Sequence, residues 1–227
     1  MCIRTKGLKP SPLSIRARLS TATPPGRGGV IREGDVQWMT AADGILHKEF
    51  HSQEFTRRGG TLEMVQLWVN LPAKDKSAAP GYQSITDAQI PGVDLADDAG
   101  RLRVIAGSYN GRTGPARTFT PIEVWDLRLN AEKGISLTPP AGQNVTVVVL
   151  DGEVTINGSA PLAGPATARL GNEGGIRLEA ASSAKLLILS GEPIDEPVAA
   201  YGPFVMNTQD EIHQAISEFQ SGKFGTL

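Results

Sequence analysis

The side chains best suited to chemistry are His47, Glu49 and His51, which alternate within the segment Gly44-Ile45-Leu46-His47-Lys48-Glu49-Phe50-His51. In an extended strand, residues at positions i, i+2 and i+4 point to the same side, with about 7 Å between successive side chains. Imidazole and carboxylate are ligands for Fe, Mn, Ni, Cu or Zn. Two or three ligands without further donors hold a metal weakly, so the spacing alone favours a polar strand face in contact with water.

Other candidate residues have simpler interpretations. The third histidine, His213, lies beside Glu211 and Gln214 and is expected on the surface of a helix. Each of the three tryptophans falls in an apolar strand segment, and burial of the large ring in a core is therefore the expected role rather than stacking on a substrate. These tryptophans are Trp38, Trp68 and Trp125.

The elements that must position these residues are predicted to be strands. Short apolar segments separated by turn residues predict an all-β fold, and the lack of a long helical pattern between them favours barrels or sandwiches. Asp151-Gly152 and Asn157-Gly158 flank residues 153–156 and favour tight hairpin turns, which predicts a meander there. The predicted strands are residues 36–39, 61–69, 102–106, 122–129, 145–150, 154–156 and 185–189.

One helix is predicted, near the end of the chain. Thr208 and Glu211 have the spacing of a capping box, and Gly222 provides a stop signal. The apolar residues that follow the cap share one helix face, so this amphipathic helix must dock on another part of the protein. The glycine-dense residues 107–114 mark a plausible boundary between two domains.

The composition excludes several classes of protein. The chain has 227 residues, a formal net charge of −2 and 40% apolar residues, which excludes disordered, collagen-like and strongly nucleic-acid-binding proteins. The single cysteine, Cys2, excludes an internal disulfide framework and a cysteine-based zinc site and is typical of a reducing compartment. No apolar run reaches the roughly 18 residues of a membrane span, and the first residues lack the apolar run expected of a secretory signal. We expect a cytoplasmic protein without membrane contact.

The charge is unevenly distributed along the chain. Residues 1–32 carry seven basic residues and no acidic one, whereas the remaining 195 residues carry 15 basic and 24 acidic residues. The acidic body makes direct contact with nucleic acid unexpected, since neutralising phosphates requires clustered Lys and Arg. The basic head shows no strand or helix period and is expected to be a disordered tail, a transit-like peptide or an artefact.

Three motifs together resemble the signature of the pirin family. They are Gly-Asp-Val-Gln-Trp-Met-Thr-Ala at 34–41, Gly-Ile-Leu-His-Lys-Glu at 44–49 and Leu-Trp-Val-Asn-Leu-Pro at 67–72. The resemblance continues through Gly107 and residues 118–121, 150–152, 191–193 and 202–207, so it covers roughly residues 28–227. It implies a bicupin, in which two β-barrel domains pack together and the C-terminal tail returns to the other domain. The expected parts are an atypical head at 1–28, a truncated N-terminal cupin domain at 29–110 and a C-terminal cupin domain with a helical tail at 111–227.

The resemblance also implies a metal site in the N-terminal barrel. Pirins hold one metal there, usually iron, through three histidines and a glutamate, and some members cleave flavonols such as quercetin with dioxygen. The matching positions are His47 and Glu49, and Glu49 is also the catalytic residue that would take the proton of the flavonol hydroxyl. His51 lies outside this ligand set and is expected to be a near-site or structural residue. The C-terminal barrel resembles the metal-free one of the family.

Half of the ligand set is absent. In pirins the other two ligands belong to an upstream His-Pro-His-x-Gly-Phe-Glu element, and this chain has no histidine before His47. The resemblance therefore predicts Fe(II) that is weakly bound or absent, an incomplete N-terminal barrel and little turnover of a flavonol-like substrate with dioxygen. A non-catalytic pirin that binds a protein partner as a co-regulator is the alternative from a different functional class.

The head offers a third interpretation. With ordinary codons for residues 1–12, translation from the third base gives Val-His-Pro-His-Lys-Gly-Phe-Glu-Thr-Val-Thr, which contains the missing element. Permitted codons continue this resemblance through Gly26. Residues 1–26 are therefore hypothesised to be an out-of-frame translation of the metal-binding strands, caused by one inserted or deleted base near residues 25–27.

Overall fold

The computed structural model describes residues 2–5, 8–16, 19–23, 27–171 and 174–225. The α-helices in these ranges are α1 (Gln53–Arg58) and α2 (Gln209–Gln220), and short 3-10 turns cover Ala73–Asp75, Asp87–Gln89 and Ala96–Asp98. The strands are β1 (Cys2–Thr5), β2 (Leu8–Arg16), β3 (Leu19–Thr23), β4 (Arg27–Ile31), β5 (Val36–Thr40), β6 (Ile45–His51), β7 (Glu63–Asn70), β8 (Gly81–Ile85), β9 (Gly92–Asp94), β10 (Gly100–Ala106), β11 (Ser108–Tyr109), β12 (Arg112–Thr113), β13 (Ile122–Leu129), β14 (Gly134–Leu137), β15 (Asn144–Asp151), β16 (Glu153–Ile156), β17 (Leu162–Ala163), β18 (Ala166–Leu170), β19 (Ile176–Ala180), β20 (Ala184–Gly191), β21 (Ala199–Tyr201) and β22 (Phe204–Met206).

The predicted all-β fold with a C-terminal helix is confirmed. The chain divides into two units, one formed by Met1–Asp87 together with Ile194–Leu227 and the other by Ala88–Pro193. The C-terminal segment therefore belongs to the same unit as the N-terminal strands. The domain boundary expected at residues 110 and 111 falls inside the second unit, because β10 pairs with β13 there. Neither α-helix in the part of the chain that the structure describes is long and apolar enough to cross a membrane.

The second unit contains two packed antiparallel sheets. One has the strand order β18-β15-β20-β13-β10-β9 and the other β14-β19-β16-β17. Burial alternates along β19, so Leu178 points into the core while Arg177 points outward. Leu178 shares one apolar cluster with Leu127 and Leu186 of the larger sheet, and the two sheets therefore pack face to face. Trp125 is buried in this cluster, as the sequence predicts, and its ring packs edge-on against Tyr109.

The meander predicted around residues 145–158 is only partly correct. Asn157 and Gly158 both have positive φ, and the Ser159 N–H donates to the Ile156 carbonyl at 2.9 Å, which forms a type I′ turn. The hairpin predicted at Asp151-Gly152 is wrong. β15 pairs with β18 and β20, whereas β16 pairs with β17 and β19, so the chain passes from one sheet to the other at this dipeptide. A glycine turn sets the local bend, and the burial of both strands decides which neighbours they pair with.

The first unit contains two sheets of its own, together with the β21–β22 hairpin and both α-helices. The strand orders are β1-β6-β3-β4 and β7-β2-β5-β8. Met39 and Tyr82 of one sheet share an apolar cluster with Ile45 of the other, which shows that the inner faces of the two sheets meet. Trp38 is buried, as predicted, but Trp68 is 45% exposed. The prediction for Trp68 is wrong because β7 is an edge strand, and its outward face carries Trp68 and the exposed Gln66.

The basic head forms strands, in contrast to the absence of a strand period in its sequence. β1 and β3 pair with the two sides of β6, and β2 lies between β5 and β7. The incomplete N-terminal barrel expected from the sequence would have left β5, β6 and β7 without strands at these positions. Backbone N–H and C=O groups of neighbouring strands are satisfied by any extended chain, so pairing does not require alternation of apolar side chains. The two prolines of β2 lie in register with β7, and β2 meets β5 at a single residue pair, Leu13 with Val36.

Deletion of residues 1–26 tests whether the head supports the first unit. We expect the midpoint of thermal unfolding to fall and amide protection to be lost in β6 and β7, because β6 loses both neighbours and β7 loses β2. Hydrogen–deuterium exchange followed by mass spectrometry measures both units in one sample, with β13 and β20 as internal controls. Unchanged protection of β6 in the truncated chain contradicts the prediction.

Candidate functional site

The candidate residues lie on β6, whose burial alternates along the strand. His47 is buried and Glu49 is half-buried, whereas Lys48 and Phe50 are exposed. His47 and Glu49 therefore point to the same, inner side of the first unit. His51 has the same parity but is exposed at the end of the strand, where its ring packs edge-on against Phe55 with 5.2 Å between centroids. The structure thus brings His47 and Glu49 together and places His51 at the surface.

The turn between β5 and β6 determines what faces His47. Gly44 has a φ of 117°, and its N–H donates to the Ala41 carbonyl at 2.7 Å, so the chain reverses sharply between strands of different sheets. Met39 and Ile45, which lie on either side of this turn, share one apolar cluster. Because side chains alternate along a strand, Gln37 lies on the same face of β5 as Met39, and His47 lies on the same face of β6 as Ile45.

Burial determines the protonation of the two site residues. His47 is 0% exposed, and among the described residues neither of its ring nitrogens has a hydrogen-bond partner. Burial lowers the pKa of His47 from 6.5 to about 4, so the ring is neutral at pH 7 and keeps a lone pair for a ligand. Burial raises the pKa of the Glu49 carboxyl, which makes its carboxylate a better proton acceptor than an exposed one.

The residues present do not fit a four-ligand metal centre. Within the described residues there is no group of three or more His, Cys, Asp or Glu side chains that could hold a metal ion. The strand register places Ile3 opposite His47 and Thr21 opposite Glu49, and neither residue type supplies an imidazole or a carboxylate. His47 and Glu49 therefore offer two protein donors, which bind a divalent metal weakly.

The polar pair of Gln37 and Tyr82 also lies on the inner face, and sequence analysis gave it no role. Gln37 is 0% exposed, and its Nε2 donates to the Tyr82 hydroxyl at 3.0 Å. The Gln37 Oε1 is buried and has no hydrogen-bond partner among the described residues. The signal was present in the sequence, because Gln37 is the one amide within the otherwise apolar run Val36-Gln37-Trp38-Met39.

The predicted C-terminal helix docks on the outer face of β6. The Glu211 N–H donates to Thr208 Oγ1 at 3.2 Å, and the Thr208 N–H donates to Glu211 Oε2 at 2.8 Å, which confirms the capping box. Ile212 and Ala215 are buried in a cluster against which Leu46 packs. Leu46 points away from His47, so the helix supports the site strand from behind.

Phe224 holds the turn that precedes the site. A β-carbon at Gly44 would come within 2.4 Å of the Phe224 ring, so the ring lies directly on the turn. The Lys223 ammonium lies 3.3 Å from an Asp43 carboxylate oxygen and 3.1 Å from Glu218. The C-terminal segment therefore packs on the residues that set the position of His47.

A buried lysine anchors the same segment. The Lys76 Nζ donates to Asn70 Oδ1 at 2.7 Å and to the Val205 carbonyl at 3.3 Å. Burial lowers the pKa of Lys76, and the carboxylates of Glu196 and Glu211 act in the opposite direction. Both carboxylates belong to the C-terminal segment, which is thus tied electrostatically to the end of β7.

Comparison with known proteins identifies the family of this chain. A family model described as pirin matches residues 22–69, and one described as the pirin C-terminal cupin domain matches residues 124–225. A Pseudomonas aeruginosa protein named as a putative quercetin 2,3-dioxygenase is 51% identical over 199 residues, which cover 88% of this chain and 70% of the relative. The chain belongs to the pirin family.

One further relative and one solved structure extend the match. A pirin-like protein of Caulobacter vibrioides is 36% identical over 225 residues, covering 96% of this chain and 78% of its own length. The crystal structure of a quercetin 2,3-dioxygenase from Acinetobacter baumannii superposes with a TM-score of 0.96 and 44% identity, covering 100% of this chain and 79% of that chain. The cupin fold of the pirins is therefore confirmed. His47 and Glu49 lie inside the matched residues 22–69, whereas most of the head precedes them.

Substitution of Phe224 tests the support of the site strand. Phe224→Ala is expected to lower the free energy of unfolding by about 3 kcal/mol, since a buried ring is lost, and to speed amide exchange in β6. Urea unfolding and hydrogen exchange measure the two effects. The matched control Phe119→Ala removes a 38% exposed ring and is expected to have a small effect. Equal effects of the two substitutions contradict the proposed support.

Acid titration tests the burial of neutral His47. The unfolded chain binds a proton near pH 6.5 that the folded His47 does not bind until about pH 4, so stability is lost as the pH falls through this window. The loss amounts to about 3 kcal/mol at most. In chelator-treated protein, His47→Gln is expected to flatten the dependence of the unfolding free energy on pH between 6.5 and 4. The exposed His213 serves as the control through His213→Gln, and equal slopes for both variants contradict the prediction.

Proposed function

We propose that the inner face of the first unit is the site at which complete pirins of this type oxidise a flavonol-like substrate with dioxygen, and that this chain carries an impaired form of it. The observation that supports the site is the pair of His47 and Glu49, one fully buried with unpartnered nitrogens and the other half-buried on the same strand face. The names of the relatives from Pseudomonas aeruginosa and Acinetobacter baumannii supply the reaction, quercetin 2,3-dioxygenation.

Two residues have roles in this proposal. Glu49 is the base that takes the proton of the substrate hydroxyl, since burial raises the pKa of its carboxyl and increases its affinity for a proton. His47 is a neutral ring whose lone pair faces the substrate side. The family suggests a divalent metal, Fe(II) being the expected one, but two protein donors do not fit a tightly held ion. No step of the reaction is therefore assigned to a metal in this chain.

Metal content and turnover test the proposed impairment. The purified chain is incubated with Fe(II), Mn(II) or Ni(II), desalted and assayed for bound metal, quercetin depletion and dioxygen uptake, with the Acinetobacter baumannii enzyme as reference. We expect substoichiometric metal and turnover lowered by more than about 100-fold, since loss of one hydrogen bond to a metal ligand already costs 10–100-fold. One tightly bound metal per chain with full turnover contradicts the proposed impairment.

Glu49→Gln separates residual catalysis from contamination. The amide cannot accept the hydroxyl proton, so any turnover that belongs to this site is expected to fall further in the variant. The exposed neighbour Lys48 provides a control through Lys48→Gln on the opposite face of the same strand. Residual turnover that is equal in both variants and in the original chain does not arise from Glu49 and contradicts its role.

A frame slip in the gene is the proposed origin of the missing histidines, and the strand register supports this origin. The alternate-frame His-Pro-His falls on the codons of residues 2–5, and these residues form β1. β1 pairs with residues 45–48 of β6, with Ile3 opposite His47. The two histidines would fall close to positions 3 and 5, opposite His47 and Ile45. Both positions have the parity of the β6 residues that point inward.

A recoded protein tests this origin. The alternate-frame peptide replaces residues 1–26, and we expect about one divalent metal per chain together with restored quercetin turnover. The matched control has the same peptide with both of its upstream histidines replaced by leucine. Sequencing of the coding DNA provides an independent test, because codons that cannot yield His-Pro-His in another frame contradict the slip. Failure of the recoded protein to bind metal contradicts it as well.

A further inference from the structure

Gln37 is a buried amide whose hydrogen bonding is incomplete. It is 0% exposed in the middle of β5, where all five residues are buried, and its Nε2 donates to the Tyr82 hydroxyl at 3.0 Å. Its Oε1 has no partner among the described residues. Exchange of the amide oxygen and nitrogen would leave the other end unpaired instead. A buried polar atom without a partner destabilises a fold, so its presence in this position requires an explanation.

The polar groups around Gln37 point into the space between the two sheets of the first unit. The register of β5 and β8 sets Gln37 opposite Ser84 and Met39 opposite Tyr82. Gly29 of the other sheet faces them, since a β-carbon there would lie 3.6 Å from the Tyr82 hydroxyl and 3.9 Å from Ser84 Oγ. Because residue 29 is a glycine, no side chain of this residue covers the two hydroxyl groups.

Gln37 and Tyr82 together present a specific hydrogen-bonding pattern. The amide oxygen of Gln37 is an acceptor, and the Tyr82 hydroxyl, which accepts from Gln37 Nε2, retains its own proton as a donor. Among the described residues, no acceptor takes that proton. An acceptor and a donor side by side are complementary to a ligand that carries a hydroxyl group next to a carbonyl oxygen.

We propose that Gln37 and Tyr82 are the specificity-determining pair of the site, with Gln37 Oε1 accepting from a ligand hydroxyl and the Tyr82 hydroxyl donating to the adjacent ligand carbonyl. The ligand class is a planar aromatic hydroxyketone. The pair rests on the proposed function for the location of the substrate, but it recognises the ligand without a metal. His47 lies on the inner face of the opposite sheet.

Binding to the metal-stripped full chain tests the proposal apart from turnover. Quercetin, which carries a hydroxyl at C3 beside its ring carbonyl, is compared by quenching of tryptophan fluorescence with luteolin, which lacks the C3 hydroxyl and keeps all the others. We expect the original chain to prefer quercetin by about 10-fold, which corresponds to about 1.4 kcal/mol. Gln37→Met is expected to abolish the preference, because it removes the acceptor of the hydroxyl that distinguishes the two ligands. Tyr82→Phe is expected to weaken both ligands, because both carry the ring carbonyl. Equal affinity of the original chain for both ligands, or no binding of quercetin, overturns the proposal.

Stability distinguishes recognition from a structural role. Gln37→Met removes the unpaired carbonyl, so the ligand-free variant is expected to unfold at a temperature equal to or a few degrees above that of the original chain. A fall in this temperature with an unchanged quercetin preference shows that Gln37 is structural and overturns the proposal. Tyr82→Phe keeps the ring in its cluster, and the weaker binding of both ligands expected for it tests the pair if the methionine variant does not fold.

Gly29→Ala tests the location of the ligand. A methyl group at ordinary contact distance from Tyr82 is expected to leave the fold intact while weakening both quercetin and luteolin by about 10-fold, because it fills the space beside the hydroxyl groups. Gly171→Ala, which meets no atom within 4 Å, is the control and is expected to change neither affinity. Unchanged binding to Gly29→Ala overturns the location. Metal content and turnover test the proposed function in separate assays. If the proposed function fails there, the measured preference for quercetin still tests recognition by Gln37 and Tyr82.

Discussion

The site depends on how strand β6 is held from both faces. On its outer face, Leu46 packs against the cluster of the C-terminal segment, and the turn before it is covered by Phe224. On its inner face, the same strand carries a fully buried imidazole. A buried neutral histidine with unpaired nitrogens destabilises the fold, and the apolar packing behind the strand offsets this cost. Apolar packing thus stabilises the outer face of β6, whereas the unpaired imidazole destabilises its inner face.

The inner face of the first unit carries buried polar atoms that have no hydrogen-bond partner among the described residues. His47 and Gln37 come from different sheets, and both carry buried side-chain atoms without a hydrogen-bond partner among the described residues. A structural network would have paired them with neighbouring side chains, since nearly all buried polar groups in folded proteins are paired. Their arrangement is that of a surface shaped for a small molecule, and it persists although the donor set for a metal is incomplete. Recognition and metal binding are therefore separable properties of this unit.

Sequence analysis predicted elements whose signals are local and failed where partners are distant. The capping box of α2 and the Asn157-Gly158 turn follow from neighbouring residues, and the all-β fold follows from the strand pattern. The dipeptide Asp151-Gly152 also signals a bend, but the burial of β15 and β16 in different sheets decides their pairing. The strands of the head are set by the backbone groups of β5, β6 and β7. His47 and Glu49 were found through a known motif, whereas Gln37 became visible only through its unpaired oxygen.

The order of the two units along the chain has a consequence for synthesis. The second unit, Ala88–Pro193, is inserted within the sequence of the first, whose remaining residues begin at Ile194. On a ribosome the inserted unit is complete and able to fold while the first still lacks Phe224 and α2. Domains fold as units during translation, so Leu46 of β6 leaves the ribosome long before the C-terminal segment that packs on it. A messenger cut short near its end therefore yields a complete inserted unit beside a first unit that lacks the segment packed on β6.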